Sequence, residues 1–174
     1  MYNFSVNSKL HEVASFQEFL EEFQISDRDL LFLNKFTYQD FLANLPLPCQ
    51  LLFYEDYSTS EPSDEVVTDI LQDLQGREID RIIGVGGGSV LDTAKLLCIK
   101  DAQSYDDIYE ERVPLVRDKG LILIPTTCGT GCEMTCVSVI DRPKLQAKIG
   151  KRIECNFADH AVLIPDLLMK IPHK

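Results

Sequence analysis

Hydrophobic positions along this chain fall into two alternating patterns. Short apolar runs occupy residues 30–33, 49–54, 82–85 and 121–124, each bounded by polar, Gly or Pro positions. They are too short for helices and apolar on both faces, which predicts buried parallel strands. Between them lie stripes at helical spacing: Phe16, Phe19, Leu20 and Phe23; Val66, Val67, Ile70, Leu71 and Leu74; Val90, Leu91, Ala94, Leu96 and Leu97. Each predicts a helix with one buried face.

Local signals sharpen these boundaries. Ser15 with Glu18 reads as a capping box, and Ser63 as an N-cap followed by Asp64 and Glu65 at the positive end of a helix that Gly76 ends. Residues 38–45 form a short helix stopped by Pro46 and Pro48. Further short strands are expected at residues 4–6 and 161–164, and a strand pair at 134–140 and 147–149 around Asp141-Arg142-Pro143. Residues 55–62 and 101–112 read as polar loops, the latter with a possible short helix, and Asp107, Glu110 and Glu111 as solvated surface. Strand and helix alternate throughout, so the fold class is α/β: a mostly parallel, Rossmann-like sheet with helices on both faces. Ligands on such sheets bind beyond the carboxyl ends of the strands.

Two small-residue turns sit at such ends. The run 82–85 passes into Gly86-Gly87-Gly88-Ser89 and then into a helical stripe. Glycines let the backbone approach a diphosphate closely, and the first amides of the following helix lack intrahelical acceptors and carry part of its dipole. Gly84-x-Gly86-x-x-Ser89 approximates a dinucleotide fingerprint, although a glycine turn that binds nothing has the same letters. No Gly-Lys-Ser/Thr is present, which excludes the usual P-loop. The second turn follows the run 121–124 and offers the hydroxyls of Thr126, Thr127 and Thr130 for adenine, ribose or phosphate oxygens, or for bonds to their own backbone. Asn34 ends a strand where nucleotide folds place a ribose-binding acid, and Asp92 lies one turn into the central helix.

Composition narrows the partners. A formal charge of -11 over 174 residues argues against nucleic acid and anionic membrane surfaces. No run of about 18 apolar residues exists, and the first residues do not read as a signal peptide, so a cytoplasmic location is expected. The six cysteines then read as free thiols. Cys128, Cys132 and Cys136 are spaced more widely than zinc pairs, and small buried residues are expected there. His11, His160 and His173 stand beside no nucleophile and in no metal-ligand spacing.

Residues 86–95 resemble the GGGSxxDxAK signature of the iron-containing alcohol dehydrogenase family, and residues 124–135 resemble its second signature, PTTxGTGSExT. The segments 61–65 and 161–165 look most like the 4-hydroxybutyrate dehydrogenase branch. This resemblance implies an NAD-dependent oxidoreductase acting on a small alcohol and its aldehyde, 4-hydroxybutyrate and succinate semialdehyde in that branch. By the same resemblance Gly86, Gly87, Gly88 and Ser89 hold the pyrophosphate, Thr126, Thr127 and Thr130 line the adenine and ribose region, and Lys148 matches a lysine near the nicotinamide ribose. Three positions depart from the pattern: Asn34 replaces the usual ribose-binding Asp and leaves NADP possible, Cys132 replaces the Ser of the second signature, and Glu61 stands where many members have Asn.

The family's iron or zinc ligands, an Asp and several His, belong to a helical domain that begins after a stretch like Asp166-Leu167-Leu168. Residues 1–174 are therefore expected to be the dinucleotide-binding half, with the boundary near 166–174, and to bind Fe2+ or Zn2+ only together with that domain. Alone, the half is expected to bind NAD weakly and to turn over nothing. A homo-oligomer is possible through the face left for the second domain. The alternatives are a non-catalytic nucleotide-binding module and an enzyme like glycerol dehydrogenase or dehydroquinate synthase.

Overall fold

The computed structural model describes residues 6–168. The elements in chain order are β1 (Lys9–Glu12), α1 (Phe16–Glu22), β2 (Asp29–Leu33), α2 (Lys35–Thr37) running into a π-helical turn (Tyr38–Leu42), β3 (Gln50–Phe53), α3 (Asp64–Asp73), β4 (Arg81–Gly86), α4 (Gly88–Leu97), α5 (Tyr105–Tyr109), β5 (Gly120–Pro125), β6 (Val137–Arg142), β7 (Ala147–Arg152), β8 (His160–Leu163) and α6 (Pro165–Leu168). Six strands form one parallel sheet in the order β1-β8-β5-β4-β2-β3, and β6 and β7 form a separate antiparallel hairpin.

The sheet is buried on both faces, as the continuous apolar runs require. Leu30, Phe32, Ile82, Leu121 and Leu123 face one core with α3, α4 and α5. Leu31, Leu33, Ile83, Val85, Ile122 and Ile124 face the other, with α1, the π-helical turn and α6. Helix α4 lies close on its strand because β4 carries glycine where it crosses: a Cβ on Gly84 would stand 2.8 Å from that of Ala94, and one on Gly86 2.7 Å from that of Val90.

The sheet reverses its winding between β2 and β4. The chain leaves β2 onto one face through α2 and the π-helical turn, and leaves β4 onto the other through α4. Connections that part to opposite faces open a crevice at the carboxyl ends of these two strands.

Several expectations need correction. The strand expected at residues 4–6 falls mostly outside the described residues, Val6 is not in a strand, and the first strand among the described residues is Lys9–Glu12. This is an edge strand with polar, exposed positions, which hydrophobic patterning does not detect; its pairing with β8 is made by backbone. The helix expected at 38–45 begins at Lys35 and changes to π winding, where Ala43 N–H donates to the Tyr38 carbonyl at 2.9 Å. In the segment 101–112, Ser104 and Asp107 form a capping box that starts α5 and buries Tyr105 and Ile108. Asp107 is thus a capping acid rather than a solvated surface charge. At α1 the expected box is half made: Ser15 accepts from Glu18 N–H, while the Glu18 carboxylate accepts from Ala14 rather than from Ser15.

Candidate functional site

The switch crevice has a volume of about 550 Å³. Gly87, Gly88 and Ser89 border it at the start of α4, Thr126 and Thr127 beyond β5, and Asn34 and Glu55 beyond β2 and β3. The two small-residue turns are joined directly, since Thr126 N–H donates to the Gly86 carbonyl at 3.0 Å. Phe36, Phe41 and Leu167 add apolar wall.

The start of α4 differs from those of α1, α3 and α5. Helices α1, α3 and α5 each begin with a serine whose hydroxyl accepts from the third helical amide: Ser15 from Glu18, Ser63 from Val66 and Ser104 from Asp107. Helix α4 begins with Gly87, which makes no side-chain capping bond. Its first-turn amides face the crevice border with the positive end of the dipole behind them. A Cβ on Gly87 would meet only Thr127, at 3.4 Å, and one on Gly88 would meet the Cys132 sulfur at 3.4 Å. Bare backbone here is not demanded by internal packing, in contrast to Gly84 and Gly86. That combination suits a bound phosphate.

The structure sorts the sequence candidates. Asn34, Gly87, Gly88, Ser89, Thr126 and Thr127 come together at the crevice. Gly86 is buried beneath it against Val90, and Thr130 and Cys132 lie behind Gly88. Asp92 and Lys148 are not brought there. Asp92 is buried and accepts from Lys95 Nζ at 2.9 Å and from Val139 N–H at 3.0 Å. Lys95 is wholly buried and also donates to the Val137 carbonyl at 2.7 Å and to the Thr135 hydroxyl at 3.3 Å. The Asp and Lys of the first signature therefore fasten the β6–β7 hairpin to α4. A buried pair survives because every charge-bearing atom finds a polar partner. Lys148 lies on exposed β7 and is ion-paired with Glu61, the position where the family pattern has Asn.

Of the cysteines expected to be small buried residues, Cys136 is buried, Cys132 half-buried and Cys128 exposed on the second turn. Burial pushes the Cys132 thiol pKa up, which keeps it protonated. His11 and His160 are hydrogen-bonded at 2.9 Å between β1 and β8, a pairing that no local pattern reveals; His173 lies outside the described residues.

Glu55 and Thr37 are among the crevice residues that the sequence does not single out. Glu55 was part of a polar loop, yet it stands just past the carboxyl end of a parallel strand, and the strand-end rule that singled out Asn34 applies to it equally. Thr37 lines the crevice with its hydroxyl buried and without a partner among the described residues. Nothing in the local letters marks it.

Among the described residues, no group of three or more His, Cys, Asp or Glu side chains is arranged to hold a metal ion, and no helix is long and apolar enough to cross a membrane.

A parallel sheet with a glycine-opened helix at its switch point defines a Rossmann-like fold, and comparison with known proteins specifies it. Residues 7–165 match the family described as iron-containing alcohol dehydrogenase, and the chain belongs to that family. It is 40% identical over 158 residues to 4-hydroxybutyrate dehydrogenase of Clostridium kluyveri, covering 91% of this chain and 43% of that protein. It is 36% identical over 116 residues to sulfoacetaldehyde reductase of Bilophila wadsworthia, covering 64% of this chain and 30% of that protein. The chain thus spans less than half the length of these relatives. Among solved structures, sulfoacetaldehyde reductase of Bifidobacterium kashiwanohense in complex with NAD+ superposes with a TM-score of 0.81 at 21% identity, covering 99% of this chain and 48% of that one. That likeness establishes the fold. The expected family and fold class are both borne out.

Proposed function

We propose that this chain is the dinucleotide-binding part of an NAD-dependent alcohol dehydrogenase of the 4-hydroxybutyrate type. The observation that carries the reading is the glycine-started helix α4, whose uncapped amides open on the switch crevice. Gly87, Gly88 and Ser89 hold the pyrophosphate through backbone amides. Thr126 and Thr127 orient the nucleotide from the second turn. When bound, the nicotinamide supplies hydride acceptance from the alcohol carbon and return to the aldehyde. The 40% identity to the Clostridium kluyveri enzyme supports 4-hydroxybutyrate and succinate semialdehyde as the substrate pair.

The iron of the family's description finds no ligand set among the described residues, so no step is assigned to it here. We place the boundary to a metal-holding helical domain near residues 166–174 and infer that residues 1–174 alone bind dinucleotide without turnover. The six free thiols support a cytoplasmic location.

Calorimetric titration of the chain with NAD+, repeated with Gly87→Val, tests the binding site. Gly87 has φ of -78°, which valine adopts without strain, so the variant is expected to fold. Its side chain blocks close backbone approach, and affinity is expected to fall by about 100-fold, or about 2.7 kcal/mol. Equal affinity in both proteins rejects the pyrophosphate site.

A further inference from the structure

We propose that Glu55 selects NAD over NADP in this crevice, its carboxylate held by Asn34 so that it accepts from the adenosine ribose diol and excludes a 2′-phosphate. The inference rests on the dinucleotide reading above and adds a residue outside both signatures.

In dinucleotide folds an acid beyond the strand next to the glycine turn bonds the ribose hydroxyls, and an arginine accommodates a 2′-phosphate. Here β2 lies next to β4, and the residue after β2 is the neutral Asn34. An amide neither carries the discriminating charge nor repels a phosphate. The charge is supplied from the adjacent strand. Leu33 pairs with Phe53 in the β2–β3 register, so the two strand ends lie side by side and Glu55 reaches across. Asn34 Nδ2 donates to one Glu55 oxygen at 3.1 Å, and the Lys35 backbone N–H donates to the other at 2.8 Å. Both oxygens are thereby fixed in place. A carboxylate has about four acceptor positions, so each oxygen retains one for a ribose hydroxyl.

Two further observations point the same way. Thr37, in the first helical turn after Asn34, lines the crevice and keeps a buried hydroxyl that lacks a partner among the described residues. The crevice border is also of one sign. Among the described residues it includes the Glu55 carboxylate and no lysine or arginine. Lys35, the nearby cation, is ion-paired with Asp56. A phosphate monoester brings close to two negative charges and would meet no lysine or arginine among the described residues of the crevice border.

The test is calorimetric titration of the chain with NAD+ and with NADP+, at low ionic strength, for the natural sequence, Glu55→Gln and Asn34→Ala. The ratio of the two affinities is measured on one preparation, so an incompletely folded fraction cancels. The natural chain is expected to favour NAD+. Glu55→Gln is expected to lower that preference by about tenfold through weaker NAD+ and stronger NADP+ binding. Asn34→Ala keeps the charge but removes its holder, so NAD+ binding weakens severalfold while NADP+ remains excluded. Preference for NADP+ in the natural chain, or an unchanged ratio in Glu55→Gln with NAD+ still bound, overturns the inference and leaves the dinucleotide site standing. Binding of neither dinucleotide to the natural chain overturns both.

Discussion

The two ends of the parallel sheet solve opposite problems. At the amino end, before β2, β4, β5 and β8, charge is closed on itself. Arg81 grips Asp29 with two bonds, at 2.6 and 2.9 Å, and Asp29 is 1% exposed. Arg28 joins Asp80 and Glu78, and Arg117 holds Asp159, which also accepts from Leu121 N–H. The bond to Asp29 raises the Arg81 pKa, although partial burial opposes it. At the carboxyl end, beyond β2, β3 and β4, there are glycines, hydroxyls, an uncapped helix and the acids Glu55 and Asp40. One end closes its charged groups in ion pairs within the chain, and the other borders a crevice with bare backbone, hydroxyls and carboxylates. Polar groups satisfied within the chain stabilise it, whereas groups left open are available to a ligand.

The comparison can be broken by substitution, beginning with the amino end. Arg81→Met leaves the buried Asp29 carboxylate without its cation. A loss of about 3 kcal/mol in unfolding free energy is expected, the lower end of the range for a broken buried pair because the guanidinium is partly exposed. Denaturant titration measures it, and NAD+ affinity of the folded protein should not change. A large loss of affinity would mean that the two ends are coupled.

Neighbouring glycines at the carboxyl end then separate packing from binding. A Cβ on Gly86 stands 2.7 Å from Val90, so Gly86→Ala is expected to lose about 2 kcal/mol of stability through overpacking. Gly87→Val, one residue on, is expected to leave stability nearly unchanged and to lose affinity instead. If both variants fail in the same assay, the glycine run is one structural unit and the distinction drawn between its members is wrong.

The smallest effect belongs to the sheet's far edge. Burial, and then the charge of His11, lower the His160 pKa; Asp159 opposes this, while Lys9 and Arg81 add to it. The folded chain therefore takes up a proton less readily than the unfolded chain. The stability contributed by neutral His160 is complete above the ordinary histidine pKa of about 6.5 and is lost as pH falls through and below it. The thermal midpoint is expected to drop by a few degrees between about pH 7.5 and pH 5, and His160→Gln should flatten that slope. An identical slope in the variant removes the histidine pair as its cause.

The sequence by itself determined the α/β class, the strands beyond the glycine and threonine turns, and the family. Continuous apolar runs, helical stripes and glycine clusters are local properties, fixed by backbone sterics and by the demand to bury both sheet faces. Tertiary structure decided which signature residues meet at the crevice. Asp92 and Lys95 share a motif with Gly87, yet the turn of α4 carries them to the hairpin, where they are sealed by Val137 and Val139. Asn34 and Glu55 are 21 positions apart and become neighbours because β2 and β3 pair in register. Strand order and register depend on how all the apolar faces pack together, and no short window of letters contains that information.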